Sequence, residues 1–435
     1  MTDSTLIEIF QDGRWVAAAS LQVFGPDRCR IDYLPQYQFS EKPEPISLCL
    51  PIDSPPDVAL RRIGLPDEIE RRAPPFLYDL VPQGRGRQYL LKQLGLADSD
   101  NLVLPLLMAG AFNPIGCLRL QSAVDFYKQH TTVGEQDNGF SLKDILGKSE
   151  AFLNHLSLHA MLAAGTTGVQ GVAPKFLLTQ DADERWYADL ALPDEHARAH
   201  WLVKLPRGRS DEDRAVLRNE AAYLRVAADL GIRTHEDPML SGEMLFVRRF
   251  DRTVDANGLR RLHQESVASL AGMRGFGVPL SMQVMLQAIR SHVTHPLAET
   301  IEFLKRDVLN MAMRNTDNHA RNTAVQRLWD GTVQLTPVFD FAPMFMDPEI
   351  VPRSSHWLSA DGKQRITDWR HVIELLGMSL PGNELPAVVN ELKAFGSEVA
   401  RMPAIALAQG VDKSILDQCM RSIERVAREL QDLKV

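Results

Sequence analysis

Apolar and polar residues alternate from Leu6 to Phe10, pause at Asp12-Gly13 and resume at Trp15-Val16-Ala17. A period of two broken by that dipeptide predicts a strand, a tight turn and a second strand. Cys29 to Tyr33 and Ile46 to Leu50 read as further short strands. Pro43, Pro45, Pro51, Pro55 and Pro56 exclude long helices in this region. The spacing then becomes helical. Leu90, Leu91 and Leu94 predict a helix from near Arg87 to Gly95, and Leu102 to Ala109 predicts another. Gly116 to Leu120 returns to strand. Residues 1–125 therefore predict a small α+β domain, and the polar, aperiodic stretch 126–149 predicts a linker.

Residues 150–255 mix both periods. Pro174 to Leu178 and His200 to Leu205 read as strands. Asn219 to Gly231 reads as a helix with Ala221, Leu224 and Ala228 inward and Gly231 as its stop. Met244 to Phe250 is a strand that runs into charge at Asp251-Arg252. From 256 to 435 the pattern predicts helices, opening at Arg261 to Ser266. Met282, Met285 and Leu286 fit a helix core, as do Leu304, Val308, Met311 and Ala312. From Ser414, the stripe Leu416, Cys419, Ile423, Val426, Leu430 and Leu433 predicts an amphipathic helix. The run is short, so it fits packing within its own domain better than a coiled-coil partner.

Composition narrows the function classes. The 435 residues are 45% hydrophobic and 24% charged, as in ordinary globular proteins. A net charge of −8 supplies no overall basic field for nucleic acid or membrane. Cys29, Cys49, Cys117 and Cys419 are scattered without C-x-x-C spacing. That argues against a zinc site and a disulfide framework and fits a reducing, cytoplasmic compartment. Neither a signal peptide nor a membrane span is expected.

The chemistry concentrates in Asn315-Thr316-Asp317-Asn318-His319-Ala320-Arg321-Asn322, where a helix gives way to a polar loop. Asp317 and Asn322 stand five positions apart. A carboxylate that can orient a hydroxyl, followed by an amide that can hold Mg²⁺, suits phosphoryl transfer. Alone, the run reads equally well as a capped turn. Asp340, after the short apolar strand at Thr336 to Phe339, offers a second carboxylate at the position of a metal-binding kinase aspartate. Upstream, Gly165-Thr166-Thr167-Gly168-Val169-Gln170-Gly171 could wrap backbone N–H groups around phosphates, or form a flexible hairpin tip. It is not a Walker loop. Lys204 lies within an apolar strand and Glu220 on the following helix, the pairing with which kinases position phosphates. Arg85 and Arg87 between glycines, and Arg207-Gly208-Arg209, read as solvated loops or weak anion sites.

The order of these features resembles the HipA family of toxin kinases. The phrases that carry it are Ile46-Ser47-Leu48-Cys49-Leu50-Pro51, Leu80-Val81-Pro82-Gln83-Gly84, Pro174-Lys175-Phe176-Leu177-Leu178, Asn219-Glu220, Arg249-Phe250-Asp251-Arg252, Leu262-His263-Gln264-Glu265, Asp317 to Asn322, and Pro337-Val338-Phe339-Asp340. The resemblance implies a two-lobed, protein-kinase-like α+β fold with a small N-terminal domain (1–125), a strand-rich lobe (150–255) and a mostly helical C-terminal lobe (256–435). It implies ATP- and Mg²⁺-dependent phosphorylation of a serine or threonine on a protein such as an aminoacyl-tRNA synthetase, with growth arrest as the consequence. The implied partner is a helix-turn-helix, HipB-like antitoxin, with DNA engaged only through that complex. By position, Asp317 would be catalytic, and Asn322 and Asp340 would hold Mg²⁺. ATP would be met by Thr167, Gly168, Gly171, Lys175, Lys204, Arg249, Phe250, His319, Asn322 and Asp340. The chain departs from the family pattern at two places. Ala173 stands where the loop glutamine is expected and the loop lacks serine, and Arg248 replaces an acidic residue before Arg249. These departures motivate an alternative, a nucleotide-binding pseudokinase that acts by holding an antitoxin–DNA complex.

Overall fold

The structure is a computed structural model, and it describes residues 4–53, 72–130, 138–148, 151–152, 175–256, 258–347 and 352–434. The glycine-rich loop, with Thr167, Gly168, Gly171 and Ala173, lies outside the described residues. The chain forms two compact units, residues 1–204 with 248–277, and residues 205–247 with 278–435.

In the first unit, the strands Cys29–Tyr33, Arg14–Val23, Ser4–Gln11 and Leu118–Leu120 form an antiparallel sheet in that order. Its turn follows the sequence expectation: Asp12 and Gly13 both take positive φ, 48° and 76°, which matches the twist of the strands they join. Ile7, Ile9, Leu21 and Ile31 are sealed in a core with Leu77, Leu90, Leu104 and Leu107 from the helices and Phe112 from the turn after them. Helix Gly84–Leu94 starts three residues before Arg87 and ends at Gly95 with φ 65°. Helix Val103–Gly110 crosses it so closely that a Cβ on Gly110 would lie 2.3 Å from Pro82 Cγ and 2.6 Å from Leu90 Cδ1.

Three expectations need correction here. Ile46 to Leu50 is a turn holding one bridge between Ser47 and Leu50, not a strand. Glu265 claims its polar groups: the Ser47 hydroxyl (2.9 Å) and Leu48 N–H (2.8 Å) both donate to that buried carboxylate. Residues 126–149 contain the end of helix Gln121–His130 and the helix Leu142–Leu146, which opens on a Ser141–Asp144 capping box. Arg261 to Ser266 is extended, spanning the end of strand Gly258–Arg261 and the strand His263–Ser266.

The same unit carries the antiparallel strands Trp186–Ala188, Lys175–Gln180 and Ala199–Lys204, with Lys175–Gln180 in the middle.

The second unit opens with helix Asp211–Asp229, eight residues before the expected start. Ser210 caps it, and Asp211, Glu212 and Asp213 fill its first turn, where acidic side chains meet the positive end of the helix dipole. Leu217, Ala221, Leu224 and Ala227 form the buried face, whereas Ala228 is exposed. Helices Met282–Arg290, Pro296–Ala312, Trp369–Gly377, Leu385–Ala408 and Lys413–Gln431 follow. The final stripe is sealed as expected, with Cys419, Val426 and Leu430 at 0% exposure. Helix Leu385–Ala408 approaches it at Gly396, where a Cβ would meet Leu430 Cβ at 2.9 Å, Gln431 N at 3.1 Å and Ala427 O at 3.2 Å. Two of these are backbone atoms and cannot swing aside. Gly396→Val is therefore expected to destabilise this unit by about 1–3 kcal/mol through overpacking, read as a lower thermal midpoint. An unchanged midpoint would contradict the close helix crossing.

Arg207 is not in a solvated loop; its guanidinium pairs with Asp347 at 2.7 Å. All four cysteines are free thiols. Among the described residues, no helix is long and apolar enough to cross a membrane.

Candidate functional site

Helix Pro296–Ala312 ends at Met313, and Arg314 then enters the left-handed region with φ 56°. That single reversal sends the chain into the Asp317 loop. Tyr223 Oη donates to Met313 O at 3.0 Å and so fixes the point of departure. The side chains of Asn315, His319 and Asn322 bond locally. Asn315 Oδ1 accepts from Asp317 N at 3.3 Å, and Asn322 Nδ2 donates to Asp317 O at 2.9 Å. Nδ1 of His319 accepts from the backbone N–H of both Arg321 and Asn322 at 3.2 Å. A ring nitrogen that accepts carries no proton, so the proton of the neutral ring sits on Nε2. That nitrogen stands 3.5 Å from Asp317 Oδ1. His319 thus braces the loop and faces the carboxylate. The Asn322 amide is oriented by its donation to Asp317 O. Its Oδ1, which has no donor among the described residues, is the atom a hard cation would take.

Asp340 follows a hairpin that continues directly from the loop. The loop runs into strand Ala324–Arg327, which pairs antiparallel with Val333–Leu335. Thr336 N extends the ladder to Ala324 O at 2.9 Å. The residues before the first strand and after the second therefore emerge at the same end of the hairpin. Polar clamps hold the outgoing chain to helix Pro296–Ala312. Arg233 pairs with Glu299 at 2.8 Å and donates to Leu335 O at 2.8 Å. Arg306, paired with Glu302, donates to Thr336 O at 2.7 Å. Beyond them Asp340 has φ 51°, a costly conformation for a non-glycine residue (about 1–3 kcal/mol). Phe341, buried against Tyr223 with ring centroids 5.2 Å apart, anchors the residue after it. Among the described residues, no cluster of three His, Cys, Asp or Glu could hold a metal. A cation here would rest on Asn322 and Asp340 with few protein ligands, as suits Mg²⁺.

The remaining expected residues are distributed as follows. Lys175 and Lys204 stand directly opposite each other at the end of their strand pair, on one face of the sheet. Lys204 is buried. Glu220 is buried on the helix of the second unit, whereas Lys204 belongs to the first. Phe250 is half-buried. Arg249, expected at a nucleotide, is committed elsewhere. Its Nε and Nη2 donate to Asp251 at 3.0 and 2.7 Å, and its Nη1 donates to Asp189 at 2.9 Å. Arg248 lays its guanidinium over the Trp201 ring, 4.9 Å from the centroid. Arg87 is bound to Asp98 at 2.7 Å and to Ser99 O; the Arg85 side chain lies outside what is described.

Periodicity overlooked Asp307, Arg353 and Trp357. The Asp307 carboxylate, 1% exposed, accepts from Trp357 Nε1 at 2.9 Å and pairs with Arg353. The available signal was a carboxylate on the apolar side of a helix, between Arg306 and Val308. Such a group is seldom buried without partners.

Comparison with known proteins agrees with the geometry. Residues 8–121 match the family described as HipA N-terminal domain, and residues 167–403 match the HipA-like C-terminal domain. The protein named "Putative kinase Y4dM" from Sinorhizobium fredii is 23% identical over 293 residues, covering 61% of each chain. The match thus spans about six-tenths of that relative's length. HipA of Shewanella oneidensis MR-1, solved with HipB and its operator DNA, superposes with a TM-score of 0.66 at 17% identity. That superposition covers 99% of this chain and 100% of the other. With the C-terminal family match alone spanning more than half its length, and the mixed α/β architecture in agreement, this chain belongs to the HipA family.

Proposed function

We propose that this protein is an ATP- and Mg²⁺-dependent serine/threonine protein kinase that acts as the toxin of a toxin–antitoxin pair. The observation that carries the proposal is the braced loop from Asp317 to Asn322, at the same hairpin end as the strained Asp340. Asp317 orients the acceptor hydroxyl and receives its proton. His319 holds the Asp317 oxygen in line through Nε2 and the loop backbone through Nδ1. Asn322 and Asp340 would hold Mg²⁺, which offsets negative charge developing on the phosphates when bound. By the family resemblance, Lys175 and Lys204, opposite each other in their strand pair, would meet the ATP phosphates. Catalysis of this kind is mainly positioning and electrostatics, so a rigid loop is what the chemistry requires.

The acceptor is a protein hydroxyl, with an aminoacyl-tRNA synthetase as the substrate class the family suggests. A helix-turn-helix antitoxin is the partner proposed, by analogy with the HipA–HipB–DNA assembly of the structural relative. DNA contact is through that partner, and the site of action is the cytoplasm. Incubating the purified protein with γ-labelled ATP and host lysate should label a small set of proteins on serine or threonine. Labelling should require Mg²⁺ and stop with EDTA. Nucleotide binding without transfer to any protein would instead favour the pseudokinase reading, which Arg248, turned onto Trp201 where the family carries an acid, supports.

A further inference from the structure

The geometry points to Asn318 as a positioning residue. It clips the segment Arg353 to Leu358 onto the loop that carries Asp317, so that this segment sets the aim of the carboxylate. The inference rests on the kinase reading above for its kinetic consequence, but not for the clip itself.

Asn318 stands between Asp317 and His319 yet turns inward, 6% exposed. Its Oδ1 accepts from Ser354 N at 3.1 Å and Ser355 N at 3.0 Å, and its Nδ2 donates to Ser355 O at 3.0 Å. One side chain thereby satisfies three backbone groups of a segment more than thirty residues away. Ser354 N also lies 3.2 Å from Thr316 O, so both flanks of Asp317 touch this segment. The segment is tied down on its other side as well. Arg353 and the Trp357 indole N–H converge on the buried Asp307, and Arg353 Nε donates to Ser355 O at 3.0 Å. His356 O accepts from Met282 N at 2.9 Å, and Leu358 exchanges two hydrogen bonds with the Gln283 amide.

The consequence is mechanical. The other side-chain bonds, from Asn315, His319 and Asn322, stay within the loop or reach back to Asn310 on the preceding helix, and none of them ties it to this segment. Attachment comes through the neighbours of Asp317, and Asn318 is the only loop side chain among the described residues that bonds this segment. Removing its amide should let the loop keep its shape while it swings. Such a motion damages the aim of Asp317 more than any nucleotide contact made elsewhere.

The test uses the full-length protein. In Asn318→Ala, hydrogen exchange at the Ser354 and Ser355 amides should accelerate about tenfold or more. The kcat for protein phosphorylation should fall roughly 10- to 100-fold while the KM for ATP stays within about twofold. Trp357→Phe keeps one aromatic ring in place and removes the bond to Asp307. It should give the same kcat-selective loss in milder form, and it carries the test if Asn318→Ala does not fold. Unchanged exchange at Ser354 and Ser355 would overturn the clip, whatever the activity. A KM for ATP that rises in step with the fall in kcat would overturn the positioning role. A wild-type protein that binds ATP and transfers nothing overturns the kinase reading, while the exchange measurement still decides the clip.

Discussion

Asp317→Ala is expected to reduce phosphoryl transfer by about 10³-fold, within the range for loss of a positioned acid–base group. The thermal midpoint should move by no more than about 2 °C. The second expectation follows from how the loop is built. Asn315 and Asn322 bond the backbone N–H and carbonyl of residue 317, and alanine retains both. His319 Nδ1 is held by the N–H groups of Arg321 and Asn322, which are also untouched. The side chain itself is 25% exposed, so truncation opens no sealed cavity. Radiolabel transfer to protein, with circular dichroism melting as the companion measurement, checks both halves. A variant that labels protein at the wild-type rate removes Asp317 from the mechanism. A variant that loses activity together with its fold shows that the loop depends on the carboxylate structurally.

The largest effect on stability is expected at Asp251. Its carboxylate is 2% exposed and accepts from Arg249, from Arg252 Nη1 at 2.7 Å and from Gly116 N at 2.8 Å. Burial alone would push its pKa up, but the guanidinium groups of Arg249 and Arg252 outweigh burial and hold it far below the usual carboxylate range. Asp251→Ala leaves two buried guanidinium groups short of a partner and should cost about 3–5 kcal/mol. The corresponding fall in the midpoint of the first unit is roughly 10 °C. The sign with pH follows from the depressed folded value. The contribution is fully present above the unfolded aspartate value of about 4 and fades as pH falls through the folded one. The gap between wild type and variant should stay constant from neutral pH to about 5 and narrow only in stronger acid. A gap that closes near neutrality would mean another group carries the effect. The network reaches farther through Asn113, which donates to Asp189 at 2.6 Å and accepts from Arg261 at 2.6 Å. The Arg249-Phe250-Asp251-Arg252 phrase is thus explained in large part by what it joins within the first unit.

Much of the fold was legible because it is local. The turn at Asp12-Gly13 is dictated by residues that tolerate positive φ. The last helix is dictated by a stripe that recurs every three or four positions, and its members are sealed as the stripe requires. The Asp317 loop was legible for the same reason, since the bonds that Asn315, His319 and Asn322 make span at most five residues. Where the reading failed, a distant group had intervened. Ile46 to Leu50 alternates like a strand, but Glu265, some 218 positions away, takes its hydroxyl and N–H. The Arg249 guanidinium likewise donates to Asp189, 60 positions upstream, a partner that no local pattern records.

The sequence by itself determined most of the strands and helices with a clear apolar period, the turn at Asp12-Gly13, and that a carboxylate and an amide share one short loop. Periodicity and turn chemistry act over a few residues, and that range suffices for these features. Only the tertiary structure decided that the approach to Asp340 returns to the hairpin end where the loop finishes. It also decided that Asn318 faces Ser354 and Ser355, and that Asp307 receives Arg353 and Trp357. A buried polar group must find a partner wherever the packed chain brings one, and no local pattern records which residue that will be.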